Sequence, residues 1–178
     1  ALTAGITALF LLPASGTAAA VNLKYDAVGE GFIRNLTASL EEGSVLFVTG
    51  DVPVFLMEYH EVLEEDYKDI TVLIYPFLDQ PWYFSHIRKY CPGIRFPTVD
   101  EIKGEIQNNP TTNARRVIAE YIIKNNPQVS AFYTLHTPEL DQSLEFLSSG
   151  TAFKLIPRET EIDLTEYWYS QLAYYGKF

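Results

Sequence analysis

The chain has 178 residues, of which 47% are hydrophobic and 20% are charged, a composition typical of a globular domain with a sizeable core. The formal net charge is −10 at pH 7, and no segment concentrates the lysine and arginine residues that neutralise phosphate groups. We therefore expect no nucleic-acid partner, and no electrostatic docking on an anionic membrane surface.

Residues 1–21 contain no charged side chain, and the first charge in the chain is that of Lys24. About 20 residues is the length that a helix needs to cross a bilayer. Leu9-Phe10-Leu11-Leu12 favours the end of a transmembrane helix, whereas the small residues Ala18-Ala19-Ala20 fit a secretory signal. A buried apolar segment is the third interpretation. We favour the first, and predict an apolar segment at 1–21 followed by a soluble α/β domain at 22–178.

Periodic patterns predict alternating helices and strands along the α/β domain. Apolar residues three and four positions apart predict a first helix from Val28 to Leu40, and the run SVLFVT at 44–49 is typical of a strand covered on both faces. The same patterns predict a helix after Pro53, a strand at 70–75, a helix through Trp82 and Tyr90, a short helix after Thr98, a helix through Val117 and Ile122, a strand at 129–135, a helix through Leu140, Leu144 and Leu147, a strand at 151–156 and an aromatic C-terminal helix. Thr98 and Glu101 have the spacing of a capping box, which predicts the start of the short helix.

Strands that alternate with helices and consist of continuous apolar runs, as buried strands do, predict a mostly parallel sheet. We therefore expect a three-layer, Rossmann-like α/β fold with about four strands, helices on both faces and the apolar segment in front of it.

Polar side chains follow the first three predicted strands. Asp51 comes after the first strand, Asp79 after the second and His136 after the third. Ligands of open parallel sheets bind beyond the carboxyl ends of the strands, so two carboxylates and an imidazole at this edge could bind the hydroxyl groups of a sugar. Aspartates that precede a helix also serve as N-caps, and that interpretation stays open for Asp51 and Asp79.

Aromatic residues are abundant, with 12 Tyr, 11 Phe and 2 Trp. Trp82 lies in the cluster Trp82-Tyr83-Phe84, and an aromatic face of this kind can stack on a sugar ring. The helical spacing of these clusters equally fits packing between helices. Trp82 therefore joins Asp51, Asp79 and His136 as a candidate ligand-binding residue.

Motifs for cofactors, metals and nucleophilic catalysis are absent from the sequence. No G-x-G-x-x-G or Walker pattern follows a predicted strand. The three histidines lack partners at metal-ligand spacing, and Cys91 is the only cysteine. We therefore expect no cofactor, no metal and no catalytic residue in this chain.

Several of these features occur together in one known family. The run at 44–89 resembles the soluble segment that follows the membrane helices in bacterial relatives of the protein O-mannosyltransferase acting on plexin-type domains. The resemblance rests on a buried strand ending in Gly50-Asp51, an aromatic helix with Phe55 and Tyr59, and Trp82-Tyr83 opening a further helix. Residues 151–157, TAFKLIP, resemble the strand of that family that ends in a Leu-Val-Pro-like triplet.

The resemblance implies a part of a multi-pass membrane glycosyltransferase that uses lipid-linked sugar donors. The catalytic acid of such enzymes lies in an early extracytoplasmic loop whose motif this sequence does not contain, and Val52-Pro53-Val54 replaces the polar residues that relatives carry after Gly-Asp. We expect an extracytoplasmic accessory domain, non-catalytic by itself, with the membrane and a carbohydrate or protein acceptor as partners. The alternative is a secreted or membrane-tethered binding module with no enzyme attached.

Overall fold

A computed structural model describes residues 28–63, 70–136, 140 and 143–175. Contacts between Cα atoms divide the chain into Ala1–Gly31 and Phe32–Phe178, and the sheet belongs to the second unit. The predicted apolar segment at 1–21 lies outside the described residues, so it stays a prediction, as does the domain boundary at residue 22. None of the described helices is both long enough and apolar enough to span a bilayer.

Most of the predicted elements form where the sequence places them. In chain order they are α1 (Val28–Ala38), β1 (Val45–Val48), α2 (Asp51–Leu63), β2 (Thr71–Ile74), a 3-10 turn (Tyr75–Phe77), α3 (Pro81–Tyr90), α4 (Val99–Asn108), α5 (Ala114–Asn125), β3 (Ala131–Tyr133), β4 (Leu144–Ser149), β5 (Ala152–Pro157) and α6 (Leu164–Tyr175). The predicted capping box at the start of α4 is confirmed, because the Glu101 N–H donates to Thr98 Oγ1 and the Thr98 N–H donates to Glu101 Oε2.

The strands form one mixed sheet of five in the order β2-β1-β3-β5-β4. β1 pairs in parallel with β2 and with β3, whereas β5 pairs antiparallel with both β3 and β4. The antiparallel ladders include more residue pairs than the parallel ones. The prediction of a mostly parallel, four-stranded Rossmann-like sheet is therefore wrong.

The error arises from residues 140–149. The spacing of Leu140, Leu144 and Leu147 predicted a helix, but Leu144–Ser149 forms strand β4. Ser149 pairs with Ala152, so the chain reverses within two residues, and Gly150 takes the positive φ of 60° that such a tight turn requires. A connection this short joins antiparallel strands, since parallel strands need a long crossover.

Side chains of β1 alternate between the two faces of the sheet, and all four of its residues are fully buried. Val45 and Phe47 belong to the core that contains residues of α3 and α5, whereas Leu46 and Val48 belong to the core that contains residues of α1 and α2. The helices therefore cover both faces of the central strand.

One buried polar side chain connects α5 to the loop before α4. Asn126, which is 2% exposed, accepts a hydrogen bond from the Arg95 N–H at 2.8 Å and donates to the carbonyl oxygens of Arg95 at 3.0 Å and Ile122 at 2.8 Å. Its amide thus satisfies three backbone groups that packing removes from water.

We predict that Asn126→Ala lowers the free energy of unfolding by roughly 1–3 kcal/mol, because those backbone groups lose their partner while they stay buried. Urea denaturation followed by circular dichroism measures the difference. Asn125→Ala is the matched control, since Asn125 is half-buried and its side chain donates one hydrogen bond within the described residues, to the Tyr121 carbonyl. Equal effects of the two changes would contradict the proposed role of Asn126.

A charged cluster joins the loop before β1 to the sheet. Glu41 accepts hydrogen bonds from Lys154 Nζ on β5, at 2.5 Å, and from the Ser130 hydroxyl just before β3. Partial burial raises the pKa of Glu41, but the hydrogen bonds from Lys154 and Ser130 and the charge of Lys154 outweigh it and leave that pKa below its ordinary value.

We predict that Glu41→Gln lowers the free energy of unfolding at neutral pH by roughly 0.2–1 kcal/mol, since the Glu41 side chain is 54% exposed and solvent screens the ion pair. Because folding lowers the pKa of Glu41, the ionised carboxylate stabilises the fold fully above the unfolded-state pKa. This stabilisation is lost as the pH falls through the folded-state pKa of Glu41. Denaturation at about pH 7 and about pH 3 tests this. If the difference in the free energy of unfolding between wild type and Glu41→Gln is as large in acid as at neutral pH, the prediction is wrong.

Candidate functional site at the carboxyl edge of the sheet

Strands β1, β2 and β3 end at the same edge of the sheet, because they are parallel and in register. Val48 pairs with Ile74, and Phe47 pairs with Tyr133. The segments that follow these strands, 49–51, 75–80 and 134–136, form what we call the carboxyl edge. Asp51, Asp79 and His136 are all in these segments.

β2 and β3 lie on opposite sides of β1. The chain that leaves β1 leads to β2 on one side, and the chain that leaves β3 leads to β4 on the other, so the two connections diverge between β1 and β3. Crevices at such points bind ligands in open α/β sheets. Here the Thr49 N–H donates to Thr134 Oγ1 at 3.1 Å, and the Thr134 N–H donates to the Phe47 carbonyl at 3.1 Å. Thr134 thus fixes the two strand ends, a role that the sequence analysis missed although a threonine directly after a strand is a signal for it.

Asp51 is the first residue of α2, and its side chain is exposed. Gly50 precedes it with a positive φ of 84°, which turns the chain from the strand into the helix. Asp51 therefore lies in the first turn of α2 and not at the N-cap position. In the first turn its carboxylate interacts favourably with the positive end of the helix dipole.

Asp79 and Trp82 share one part of the carboxyl edge, between β2 and α3. Asp79 Oδ1 accepts a hydrogen bond from Gln80 Nε2 at 2.9 Å, and Asp79 Oδ2 lies 3.3 Å from Arg115 Nε in α5. The N-cap residue of α3 is Gln80, so Asp79 does not cap this helix. We call Phe77, Asp79, Gln80, Trp82 and Arg115 the Trp82 corner.

Trp82 is 63% exposed, and its ring contacts two aromatic neighbours. The ring centroid lies 5.7 Å from that of Phe77 and 5.6 Å from that of Tyr83. Tyr83 is buried, and its hydroxyl accepts a hydrogen bond from the Ile74 N–H at 2.7 Å. The exposed indole therefore packs against Phe77 and against Tyr83, and Tyr83 is hydrogen-bonded to the end of β2.

His136 is exposed and lies against the β4–β5 hairpin. Its ring centroid lies 4.6 Å from that of Phe146 and 6.1 Å from that of Phe153. These rings belong to the two antiparallel strands, so the sequence analysis, which predicted a helix through residue 146, could not place them here. His136 contacts aromatic rings, whereas the Asp79 carboxylate contacts the side chains of Gln80 and Arg115.

Other features of the described residues do not add ligands to this edge. Across the described ranges, no group of three or more His, Cys, Asp or Glu side chains is arranged to hold a metal ion. A groove of about 480 Å³ between α4 and α5 is lined by Glu101, Glu105, Glu120 and Tyr121, away from all four predicted residues. Hydrogen bonds from the backbone and hydroxyl of Thr98 lower the pKa of Glu101, whose carboxylate serves the capping box.

We predict that Asp79→Asn lowers the free energy of unfolding by less than about 1 kcal/mol, because the ion pair with Arg115 is partly exposed. Glu159→Gln, in the exposed turn after β5, is the control for loss of one surface charge. Urea denaturation of both variants gives the comparison. A loss several times larger for Asp79→Asn would show that Asp79 is required by the fold, and its mutation could not then test binding.

Comparison with known proteins gives a partial match to a protein O-mannosyl-transferase. No protein-family profile matches the chain, and no solved structure matches it. Over 66 residues, or 37% of the chain, it is 26% identical to the protein O-mannosyl-transferase TMEM260 of Mus musculus. The chain covers 9% of the length of the mouse protein. This match supports a distant relation to a protein O-mannosyl-transferase over that part of the chain.

Proposed function

We propose that this chain is an accessory domain of a membrane glycosyltransferase-like protein, on its extracytoplasmic side, and that it positions a sugar or a glycosylated acceptor without catalysing the transfer. The partial similarity to a protein O-mannosyl-transferase supports the association with sugar transfer. The observation that carries the proposal is that two accessible side chains lie three positions apart between β2 and α3, which are the Trp82 ring, 63% exposed, and the Asp79 carboxylate, 31% exposed.

The Trp82 ring supplies an apolar platform. Sugars present a face of C–H groups that packs against an aromatic ring, and tryptophan offers the largest such surface. Contacts with Phe77 and Tyr83 hold the indole in place. A ring that is already ordered loses little conformational entropy when a ligand stacks on it.

Asp79, three residues before Trp82 in the chain, supplies directional hydrogen bonds. A carboxylate has more lone pairs than its two present neighbours use, so it can also accept from sugar hydroxyl groups. Arg115 Nε lies 3.3 Å from Asp79 Oδ2 and forms an ion pair without a hydrogen bond, so the guanidinium balances the charge of the carboxylate while the Asp79 side chain stays 31% exposed. We assign these residues to binding and none to catalysis, because a partly exposed carboxylate paired with an arginine charge is suited to accept hydrogen bonds.

We expect that titration of the 178-residue chain with mannose, and with a mannosylated threonine peptide, shifts the NMR signal of the Trp82 indole N–H. Trp82→Ala should weaken binding by about two- to tenfold, since stacking on an aromatic ring contributes roughly 0.5–1.5 kcal/mol beyond the area it buries. Asp79→Asn should weaken it as well.

The chain offers a matched control for this experiment. Trp168 in α6 is 54% exposed, so Trp168→Ala removes an equally accessible tryptophan from another element. Binding that survives Trp82→Ala but not Trp168→Ala would move the site to α6. No shift of either indole with any of these ligands would refute a carbohydrate-binding role.

A further inference from the structure

β2 is an edge strand of the described sheet, so the backbone N–H and C=O groups on its outer side do not pair with another strand. The Thr71 N–H donates to the Ser44 carbonyl at 2.9 Å, so Thr71 faces β1. Successive residues of a strand direct their N–H and C=O groups to opposite sides, so Val72 and Ile74 face outward. Tyr83 Oη accepts from the Ile74 N–H at 2.7 Å. The N–H and C=O of Val72 have no partner among the residues that the structure describes.

A groove runs along this open edge. It has a volume of about 210 Å³ and is bounded by Val54 and Glu58 of α2, by Val72 of β2, and by Ile87 and Tyr90 of α3. Because α2 and α3 cover opposite faces of the sheet, the groove lies between them, directly beside the outward backbone of β2. Val54 and Val72 are both partly buried against the core on the α2 side.

The chemistry of the groove indicates what fills it. An outward N–H and C=O on one residue form a pair of hydrogen bonds with another backbone, which is the interaction by which an extended peptide adds to a sheet edge. Apolar walls then receive alternate side chains of that peptide. Among the described residues that line the groove, Glu58 is the single Asp or Glu, His86 is the single histidine and none is Lys or Arg. The whole chain has a net charge of −10. A peptide with a basic residue matches this charge.

We propose that the open edge of β2 binds an extended, basic peptide segment of a partner protein, which adds to the sheet as a further strand next to Val72. The Tyr83 hydroxyl ends the new ladder at Ile74, so the peptide pairs at Val72 and continues into the groove, with its basic side chain near Glu58. This surface is separate from the Trp82 corner, and the proposal does not depend on sugar binding.

The test uses the full 178-residue chain and a capped octapeptide of alternating threonine and valine with one central lysine. We expect slower hydrogen exchange at the Val72 amide when the peptide is added, measured by NMR, and weak binding by fluorescence anisotropy of a labelled peptide. Val72→Pro should weaken binding by roughly tenfold, because it removes the outward N–H while the ladder to β1 uses Thr71 and Leu73. Val72→Ile keeps the N–H and should bind as wild type does.

Two further measurements keep the result independent of the folding of Val72→Pro. A peptide with N-methyl groups on alternate amides cannot form the ladder and should not bind the wild-type chain. Glu58→Gln should weaken binding of the lysine peptide severalfold at low salt and leave a norleucine analogue unaffected.

Three outcomes overturn the proposal. The first is equal binding of the methylated peptide, and the second is an unchanged Val72 amide at millimolar peptide. The third is strong protection of Val72 in the protein alone, which means that the edge is already filled. Sedimentation then decides whether a second copy of the chain fills it.

Discussion

The fold depends on the complete burial and two-sided pairing of β1. All four of its residues are fully buried, and it forms parallel ladders with β2 on one side and β3 on the other. Burial of a valine, leucine or phenylalanine side chain contributes about 1.5–3 kcal/mol each, so this short strand stabilises both cores at once. Parallel pairing also requires long crossover connections, which is why α2 connects β1 to β2 and why α3, α4 and α5 all lie between β2 and β3.

β3 is where the character of the sheet changes, since it is parallel to β1 and antiparallel to β5. Tyr133 at its end connects the two halves through aromatic contacts, with ring centroids 5.2 Å from Tyr75 and 6.5 Å from Phe146. The β4–β5 hairpin therefore packs against the same core as the parallel strands. Its aromatic side chains also form the surroundings of His136, so the antiparallel half shapes one end of the carboxyl edge.

The two proposed binding surfaces share helix α3. Its first turn presents Trp82 at the carboxyl edge, whereas Ile87 and Tyr90 in its later turns line the groove beside β2. Tyr83 lies between them and fixes the helix to the strand through the Ile74 N–H. A rigid helix that is anchored at one point can present different side chains to different ligands, because residues four apart face one way and their neighbours face another. Both surfaces therefore depend on the packing of one element.

The sequence by itself determined the elements that have a clear period. It predicted β1, α2, β2 and α3, placed the capping box at Thr98, and located Asp51, Asp79 and Trp82 at the ends of strands or the start of a helix.

The sequence did not determine β4, because leucines at 140, 144 and 147 fit a helix, and a short apolar run does not distinguish a helix from a strand. The tertiary structure decided that point, since pairing with β5 satisfies the backbone groups of residues 144–149 that face that strand. It also decided which distant residues meet at the site. Arg115 reaches Asp79, and Phe146 reaches His136, only because long crossovers and the hairpin bring separate segments together, and local patterns carry no information about such contacts.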